Sequence, residues 1–344
     1  MVAIPVTWMR GRWREELPAS PLRWLAVPAW AAYRPLVALH GLAWDLGVRS
    51  PQRVPAPVIS IGNLTAGGTG KTPAVALVCA RLAGLGRRPA VASRGYRGNG
   101  TANDEAQLMG SVPVFCNARR ILAAQAALAG GADCVVLDDG FQHRRLHRDL
   151  DLVLIDSLRP WGGGHGAVLP LGYLREGRRA LRRASALWLT RTDLAEPAAL
   201  AKLRAELAPL HLPILAGVHA PPRLVTLSGA PGPDPATLAG TAVVLASGLG
   251  HPAGFERLAQ RQGWHITCSL RFPDHHAYTA ADLGAVADLA RDATVVITAK
   301  DAVKWQPLAV PFRRPLLVMH SGQDLPATDL AVLDELLRGA LVRV

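Results

Sequence analysis

Val58-Ile59-Ser60-Ile61-Gly62-Asn63-Leu64-Thr65-Ala66-Gly67-Gly68-Thr69-Gly70-Lys71-Thr72-Pro73 is the stretch whose reading decides the fold. It opens with an apolar, β-branched run and passes into a glycine-rich turn. A helix is predicted to begin at Lys71-Thr72. Strand, glycine turn and helix N-terminus in that order make a cradle for a polyphosphate. Glycines let backbone N–H groups curl around phosphate oxygens, and the helix end adds partial positive charge. On this reading Thr65, Ala66, Gly67, Gly68, Thr69, Gly70, Lys71 and Thr72 hold the phosphates of ATP. Lys71 reaches the β- and γ-phosphates and the Thr72 hydroxyl ligates Mg²⁺. Thr65 stands where the Walker A pattern has its first glycine, and Gly67 and Gly68 supply the flexibility that residue would give.

Cys134-Val135-Val136-Leu137-Asp138-Asp139 is the second signal: an apolar strand ending in two carboxylates, the form of a Walker B strand. Placed across from the phosphate loop, a carboxylate there holds Mg²⁺ or a water bound to it.

Around these two strands the chain alternates between strand and helix patterns. Strands are predicted near 57–61, 88–93, 112–116, 134–138, 151–156 and 186–190, with helices near 71–83 and 117–129. Such alternation implies a parallel sheet covered on both faces, with active residues at the strands' C-terminal ends. Pro221-Pro222 and the run 228–233, rich in Gly and Pro, mark a junction. Further strands are expected near 242–246, 264–270, 293–298 and 315–319, and 328–342 has helical spacing. The fold class is therefore α/β: a P-loop NTPase-type parallel sheet domain, a second, smaller α/β domain and an N-terminal interfacial helix. The expected boundaries are 1–50 for the N-terminal segment, 51–220 for the ATP-binding domain and 221–344 for the second domain.

The 344 residues are half apolar and only 19% charged, which suits one large or two ordinary folded domains. The four cysteines form no CxxC pair, so neither a structural metal nor a disulfide framework is indicated. Cys79 and Cys134 read as buried small hydrophobes. The net charge of +12 comes almost wholly from arginine and calls for an anionic partner: nucleic acid, acidic membrane or a phosphorylated substrate. With no RNA-recognition signature, zinc finger or helix-turn-helix, and 5% aromatic residues, nucleic acid is the weakest of these.

Arg10, Arg12 and Arg14 precede an apolar stretch, 24–44, carrying Trp24, Trp30, Tyr33 and Trp44. Arg34 and two prolines in its middle argue against a transmembrane helix, which needs about 20 apolar residues. The mixture of Trp, Tyr and Leu with Arg fits a segment lying on an acidic bilayer. A helix packed on the protein's own core is the other reading.

Several polar clusters follow predicted strands. Ser93-Arg94-Gly95-Tyr96-Arg97-Gly98 is one. Asn103-Asp104-Glu105 is another, either a functional carboxylate pair or acids complementing a helix dipole. Asp139-Gly140-Phe141-Gln142-His143 extends the Walker B strand. Leu174-Arg175-Glu176 lies in a glycine-rich loop and is either phosphate and metal machinery or a surface ion pair. Asp274-His275-His276 places two histidines beside an acid. Thr298-Ala299-Lys300-Asp301 ends a strand and either lines a cleft or caps a helix.

In order and spacing these motifs resemble the tetraacyldisaccharide 4′-kinase family, the lipid A 4′-kinases of Gram-negative bacteria. The agreement covers most of the chain: the loop Gly62–Pro73, Ser93-Arg94-Gly95-Tyr96, Asp104-Glu105, Asp138-Asp139-Gly140-Phe141-Gln142-His143, Leu174-Arg175-Glu176, Phe272-Pro273-Asp274-His275-His276 and Thr298-Ala299-Lys300-Asp301. A first Walker glycine is usually absent in that family. Its proline after Arg-Glu is here Gly177.

The resemblance implies transfer of the ATP γ-phosphoryl group to the 4′-hydroxyl of an acylated glucosamine disaccharide 1-phosphate. The work would be done at the cytoplasmic face of the inner membrane by a peripheral protein. It implies Asp104 as catalytic base with His275 as its partner, and Lys71 and Arg175 stabilising phosphoryl charge. Asp138, Asp139, Gln142 and Glu176, with Thr72, make up the Mg²⁺ shell. The expected partners are the lipid substrate and the membrane surface, with no nucleic acid; the oligomeric state stays open, a monomer being sufficient. Two other readings use the same loop: a P-loop kinase of a soluble phosphorylated metabolite, and a membrane-associated ATPase switch.

Overall fold

The computed structural model describes residues 27–95, 112–162, 166–249, 252–273, 276–308, 312–314, 316–342. They fall into two compact units, one formed by 27–218 with 323–342 and the other by His219–Gly322.

The first unit begins with α1 (Val27–Asp45), followed by β1 (Val58–Asn63), α2 (Lys71–Gly84), β2 (Pro89–Ser93), β3 (Val114–Cys116) and α3 (Arg120–Ala129). Then come β4 (Cys134–Asp138), β5 (Leu150–Asp156), β6 (Ala186–Thr190), α4 (Pro197–Leu207) and β7 (Ile214–Ala216). The strands form one seven-stranded sheet in the order β3-β2-β4-β1-β5-β6-β7, every neighbouring pair parallel. β1 therefore lies between the Walker B strand β4 and β5, at the centre of the sheet. Every residue of β1, β2, β4, β5 and β6 is buried, which is why these segments read as continuous apolar runs rather than as alternating ones.

Besides Ser60 within β1 and Asp151 near the start of β5, the polar exceptions to that apolar character gather at one edge. Asn63, Ser93, Asp138, Asp156 and Thr190 end β1, β2, β4, β5 and β6, and all are buried. A buried polar side chain is costly unless it is hydrogen-bonded, so a row of them marks the working edge of the sheet. Cys79 and Cys134 are buried as expected, and burial first of all pushes both thiols up to about 12.

Two short strands, β8 (Val218–His219) and β14 (Gln323–Asp324), lie where the chain passes from one unit to the other. Between them run β9 (Arg223–Thr226), β10 (Ala242–Ser247), α5 (Pro252–Arg261), β11 (His265–Arg271), α6 (Ala280–Ala290), β12 (Thr294–Thr298), α7 (Ala299–Trp305) and β13 (Leu317–His320). Their sheet has the order β11-β10-β12-β13-β9 and is parallel except for β9, which runs antiparallel to β13.

The last helix, α8 (Ala327–Val342), departs from expectation. The second domain was expected to run to 344, but it ends at Gly322 and α8 belongs to the first unit. Leu325, Leu333, Leu337 and Ala340 join the core formed by Ile59, Ile61, Val75, Val78 and Trp188, and the Arg81 guanidinium pairs with Asp334. The helical spacing of 328–342 revealed an apolar face but not what it would be buried against. Leu337 is fully buried, so Leu337→Ala should cost about 2–5 kcal/mol. The expected result is a lower denaturation midpoint for the first unit, read by urea unfolding.

Within the described residues α1 does not pack along its length on the core: Leu36, Leu39 and Leu42 are exposed. Its C-terminal end is fastened. Arg144 donates to the Gly41 carbonyl at 3.1 Å, pairs with Asp45 at 2.7 Å and stacks over the Trp44 ring. No helix among the described residues is long and apolar enough to cross a membrane.

Candidate active site

α2 starts at Lys71, and Gly70 before it takes a left-handed backbone (φ 83°), as does Gly67 (φ 118°). Glycine reaches these values without strain. Inside the loop the Asn63 amide ties its two ends together. Its Nδ2 donates to the Thr65 carbonyl at 2.9 Å and to Thr69 Oγ1 at 2.8 Å, while its Oδ1 accepts from Lys71 Nζ at 3.2 Å. The polar end of β1 thus sets both the shape of the loop and the direction of its lysine. Gly62, one residue earlier, lets the next loop come close: a Cβ there would lie 2.6 Å from that of Phe141.

Arg175 arrives by backbone pairing. Its N–H donates to the Leu64 carbonyl at 2.7 Å, and the Ala66 N–H donates to the Tyr173 carbonyl at 2.7 Å. The segment 173–175 is therefore strapped along the start of the phosphate loop. From there the guanidinium reaches both Asp139 oxygens, at 2.9 and 2.7 Å, and Gln142 Oε1 at 3.3 Å. Lys71 Nζ lies 3.5 Å from Oδ1 of the same carboxylate. Asp139 itself has a left-handed backbone (φ 54°), which turns its side chain out of the line of β4. Burial pushes its pKa up, but Lys71 and then Arg175 outweigh that and hold the carboxylate below its usual range. Two cations thus share one carboxylate beside the phosphate loop.

Of the expected Mg²⁺ shell, the structure brings Asp139 and Gln142 together with Arg175; Gln142 also donates to the Asn63 carbonyl at 2.9 Å. Asp138 is buried at the end of β4, and Thr72 lies in the first turn of α2. Glu176 instead pairs with Arg183 at 2.9 Å, beside the Phe141 ring, on which that guanidinium stacks. Its Oε1 is buried with no hydrogen-bond partner among the described residues. No three His, Cys, Asp or Glu side chains converge as a metal cage among the described residues. Mg²⁺ is usually held through one or two carboxylates, water and substrate phosphates. The donors here are hard oxygens, as that ion requires. Asp104 and His275 lie outside the described residues.

Two further groups belong to this edge. Thr190 Oγ1 donates to the Thr69 carbonyl at 3.1 Å, and Arg191 donates to the Gly68 carbonyl at 3.0 Å. No motif in the sequence marks them. In the second unit, Asp301 turns out to be structural. Buried at the start of α7, it accepts from Gly248 N–H, Tyr278 Oη and Thr298 Oγ1 at 3.0, 2.8 and 2.6 Å. Of the two readings of Thr298-Ala299-Lys300-Asp301, helix capping is the one realised for Asp301, since Thr298 accepts its N–H.

His143, in the loop after β4, is pushed down to about 4, first by burial and then by Arg120, Arg145 and Arg148. An unfolded chain takes up this proton near pH 6.5, whereas the folded one does not until about 4. The stability this group contributes is therefore complete above pH 6.5 and is lost as pH falls toward 4. His143→Gln should flatten the fall in melting temperature between pH 7 and 5 relative to the parent chain. An unchanged slope would mean that His143 does not carry it.

The profile of the family described as "Tetraacyldisaccharide-1-P 4'-kinase" matches residues 22–338. The chain belongs to this family. A tetraacyldisaccharide 4'-kinase of Anaeromyxobacter sp. (strain K) is 44% identical over 85% of this chain and 84% of its own length. That of Alkalilimnicola ehrlichii is 38% identical over 91% and 94%. The crystal structure of an LpxK from Aquifex aeolicus in complex with ATP superposes with a TM-score of 0.70, covering 93% of this chain and 99% of that one. At 24% identity this likeness speaks to the fold: both chains share the tetraacyldisaccharide 4'-kinase architecture.

Proposed function

We propose that this kinase transfers the γ-phosphoryl group of ATP to the 4′-hydroxyl of a tetraacylated glucosamine disaccharide 1-phosphate, yielding the 4′-phosphorylated lipid A precursor. The observation that carries this reading is the pairing of Lys71 and Arg175 across Asp139 at the mouth of the phosphate loop. Phosphoryl transfer asks a protein mainly for positioning and for neutralisation of charge on the phosphoryl oxygens. Lys71 and Arg175 are two cations already aimed at one anionic position. A polyphosphate entering the loop offers them a second set of anionic oxygens, so the carboxylate keeps both side chains extended until then.

Mg²⁺, when bound, would supply Lewis-acid neutralisation of the phosphate oxygens. Thr72, Asp138 and Asp139 would hold it, with Gln142 and Glu176 in the surrounding shell. Asp104 would take the proton of the acceptor hydroxyl, and His275 would hold that carboxylate in orientation. The exposed Leu36, Leu39 and Leu42 on α1 support a peripheral seat on the cytoplasmic face of the inner membrane, with the arginine-rich N-terminal segment drawn to anionic headgroups.

The test is ATP turnover by the full chain with and without an acylated disaccharide 1-phosphate presented in vesicles containing anionic lipid. Turnover should require the acceptor and the labelled γ-phosphate should appear on it. ATP hydrolysis at the same rate without acceptor would instead favour the ATPase switch. Phosphorylation of soluble sugar phosphates with no gain from lipid would favour the soluble-metabolite kinase.

A further inference from the structure

The phosphate loop is held from outside by a pair of side chains that the proposed reaction does not use. Arg191 follows β6 directly and adopts a left-handed backbone, φ 59° and ψ 32°, uncommon for a residue other than glycine. Its guanidinium is largely buried and bridges two acceptors. One is Asp156, the buried last residue of β5, at 2.6 Å; the other is the carbonyl of Gly68 in the phosphate loop, at 3.0 Å. Asp156 is fixed in turn, since its Oδ1 accepts the Leu158 N–H at 3.1 Å. Thr190, the preceding residue, donates to the very next loop carbonyl, that of Thr69, at 3.1 Å. Two consecutive loop carbonyls are therefore held by two consecutive residues at the end of β6.

A peptide group is planar and trans, so its N–H points opposite to its C=O. Holding the carbonyls of Gly68 and Thr69 against Arg191 and Thr190 turns the N–H groups of Thr69 and Gly70 the other way. Glycine-rich loops bind phosphate through such N–H groups, and Gly67 and Gly68 leave this stretch free to rotate unless something outside restrains it. We propose that Arg191, anchored by Asp156, is a positioning residue that sets the donor geometry of the phosphate loop. The proposal rests on the reading of residues 65–72 as the nucleotide's phosphate site. The charge of Arg191 matters less to it than its span: a guanidinium reaches two acceptors in a fixed fork, which an ammonium does not.

Arg191→Gly tests this, because glycine suits the left-handed backbone while removing the bridge. Binding of ATP, of tripolyphosphate and of adenosine would be measured on the full chain, together with kcat, KM for ATP and the melting temperature. Loss of a hydrogen bond from a charged donor predicts about tenfold weaker binding of ATP and tripolyphosphate. Adenosine binding should stay close to that of the parent, while melting falls because Asp156 is left buried without its cation. Arg191→Lys should fall between the two. Parent-like ATP affinity and kcat in Arg191→Gly would overturn the proposal, as would an equal loss for adenosine. If Arg191→Gly melts far below the parent, Arg191→Lys decides: parent-like phosphate binding overturns the brace, and a loss confined to the phosphate ligands sustains it. Lys71→Ala in the same assays separates the underlying reading. Were it also to bind and turn over ATP normally, the phosphate site itself would be misassigned; if it fails while Arg191→Gly does not, only the brace falls.

Discussion

Lys71→Ala should lower kcat at saturating ATP by about a hundredfold, the equivalent of roughly 3 kcal/mol for a positioned charge lost from a dry site. The fold should survive, because Asp139 keeps its contacts to Arg175 at 2.9 and 2.7 Å and is not left as an uncompensated carboxylate. A melting curve close to that of the parent chain would confirm that the loss is chemical. Turnover near the parent's value would remove Lys71 from the reaction.

Asp104→Ala should cost about 10²–10⁴-fold in kcat while leaving ATP affinity largely intact, as the loss of a general base does. His275→Ala should slow the same step. If the two act as one unit, the double variant should be less impaired than the product of the single losses predicts. Full additivity would mean that they act separately and that the assignment of His275 as the partner of Asp104 is wrong. Single-turnover kinetics at saturating acceptor separate this step from binding.

The strand–loop–helix unit was legible because its physics is local. Continuous apolar runs, a cluster of glycines and a lysine-threonine at a helix start need no knowledge of distant contacts. For the same reason the predicted strand near 57–61 appears as Val58–Asn63, and that near 134–138 as Cys134–Asp138. β9 and the short β7 escaped the reading, having few residues with which to show a period. What sequence withheld was partnership across distance. Asp138-Asp139 reads as two equivalent acids, yet β4 ends at the first and the left-handed turn at the second hands it to Lys71 and Arg175. Glu176 reads as a companion of Arg175, but the two side chains turn to different partners: Arg175 meets Asp139 and Glu176 meets Arg183. Thr190 and Arg191 carry no signature at all, because they act on carbonyl groups, which any residue possesses.

The return of α8 to the first unit also governs the order in which the protein can form during synthesis. Residues 219–322 are continuous in the chain and leave the ribosome complete, free to collapse as soon as β13 has emerged. The nucleotide-binding unit is synthesised mostly before them yet lacks Leu325, Leu333, Leu337 and Ala340 until the residues after 322 are made. Although domains tend to fold from the N-terminus onward as they emerge, here the earlier unit is the one that must wait. Its apolar surface beside α2 stays uncovered through the making of more than a hundred further residues. A nascent chain that stops before α8 would thus carry residues 219–322 complete and a first unit whose core still lacks Leu333, Leu337 and Ala340.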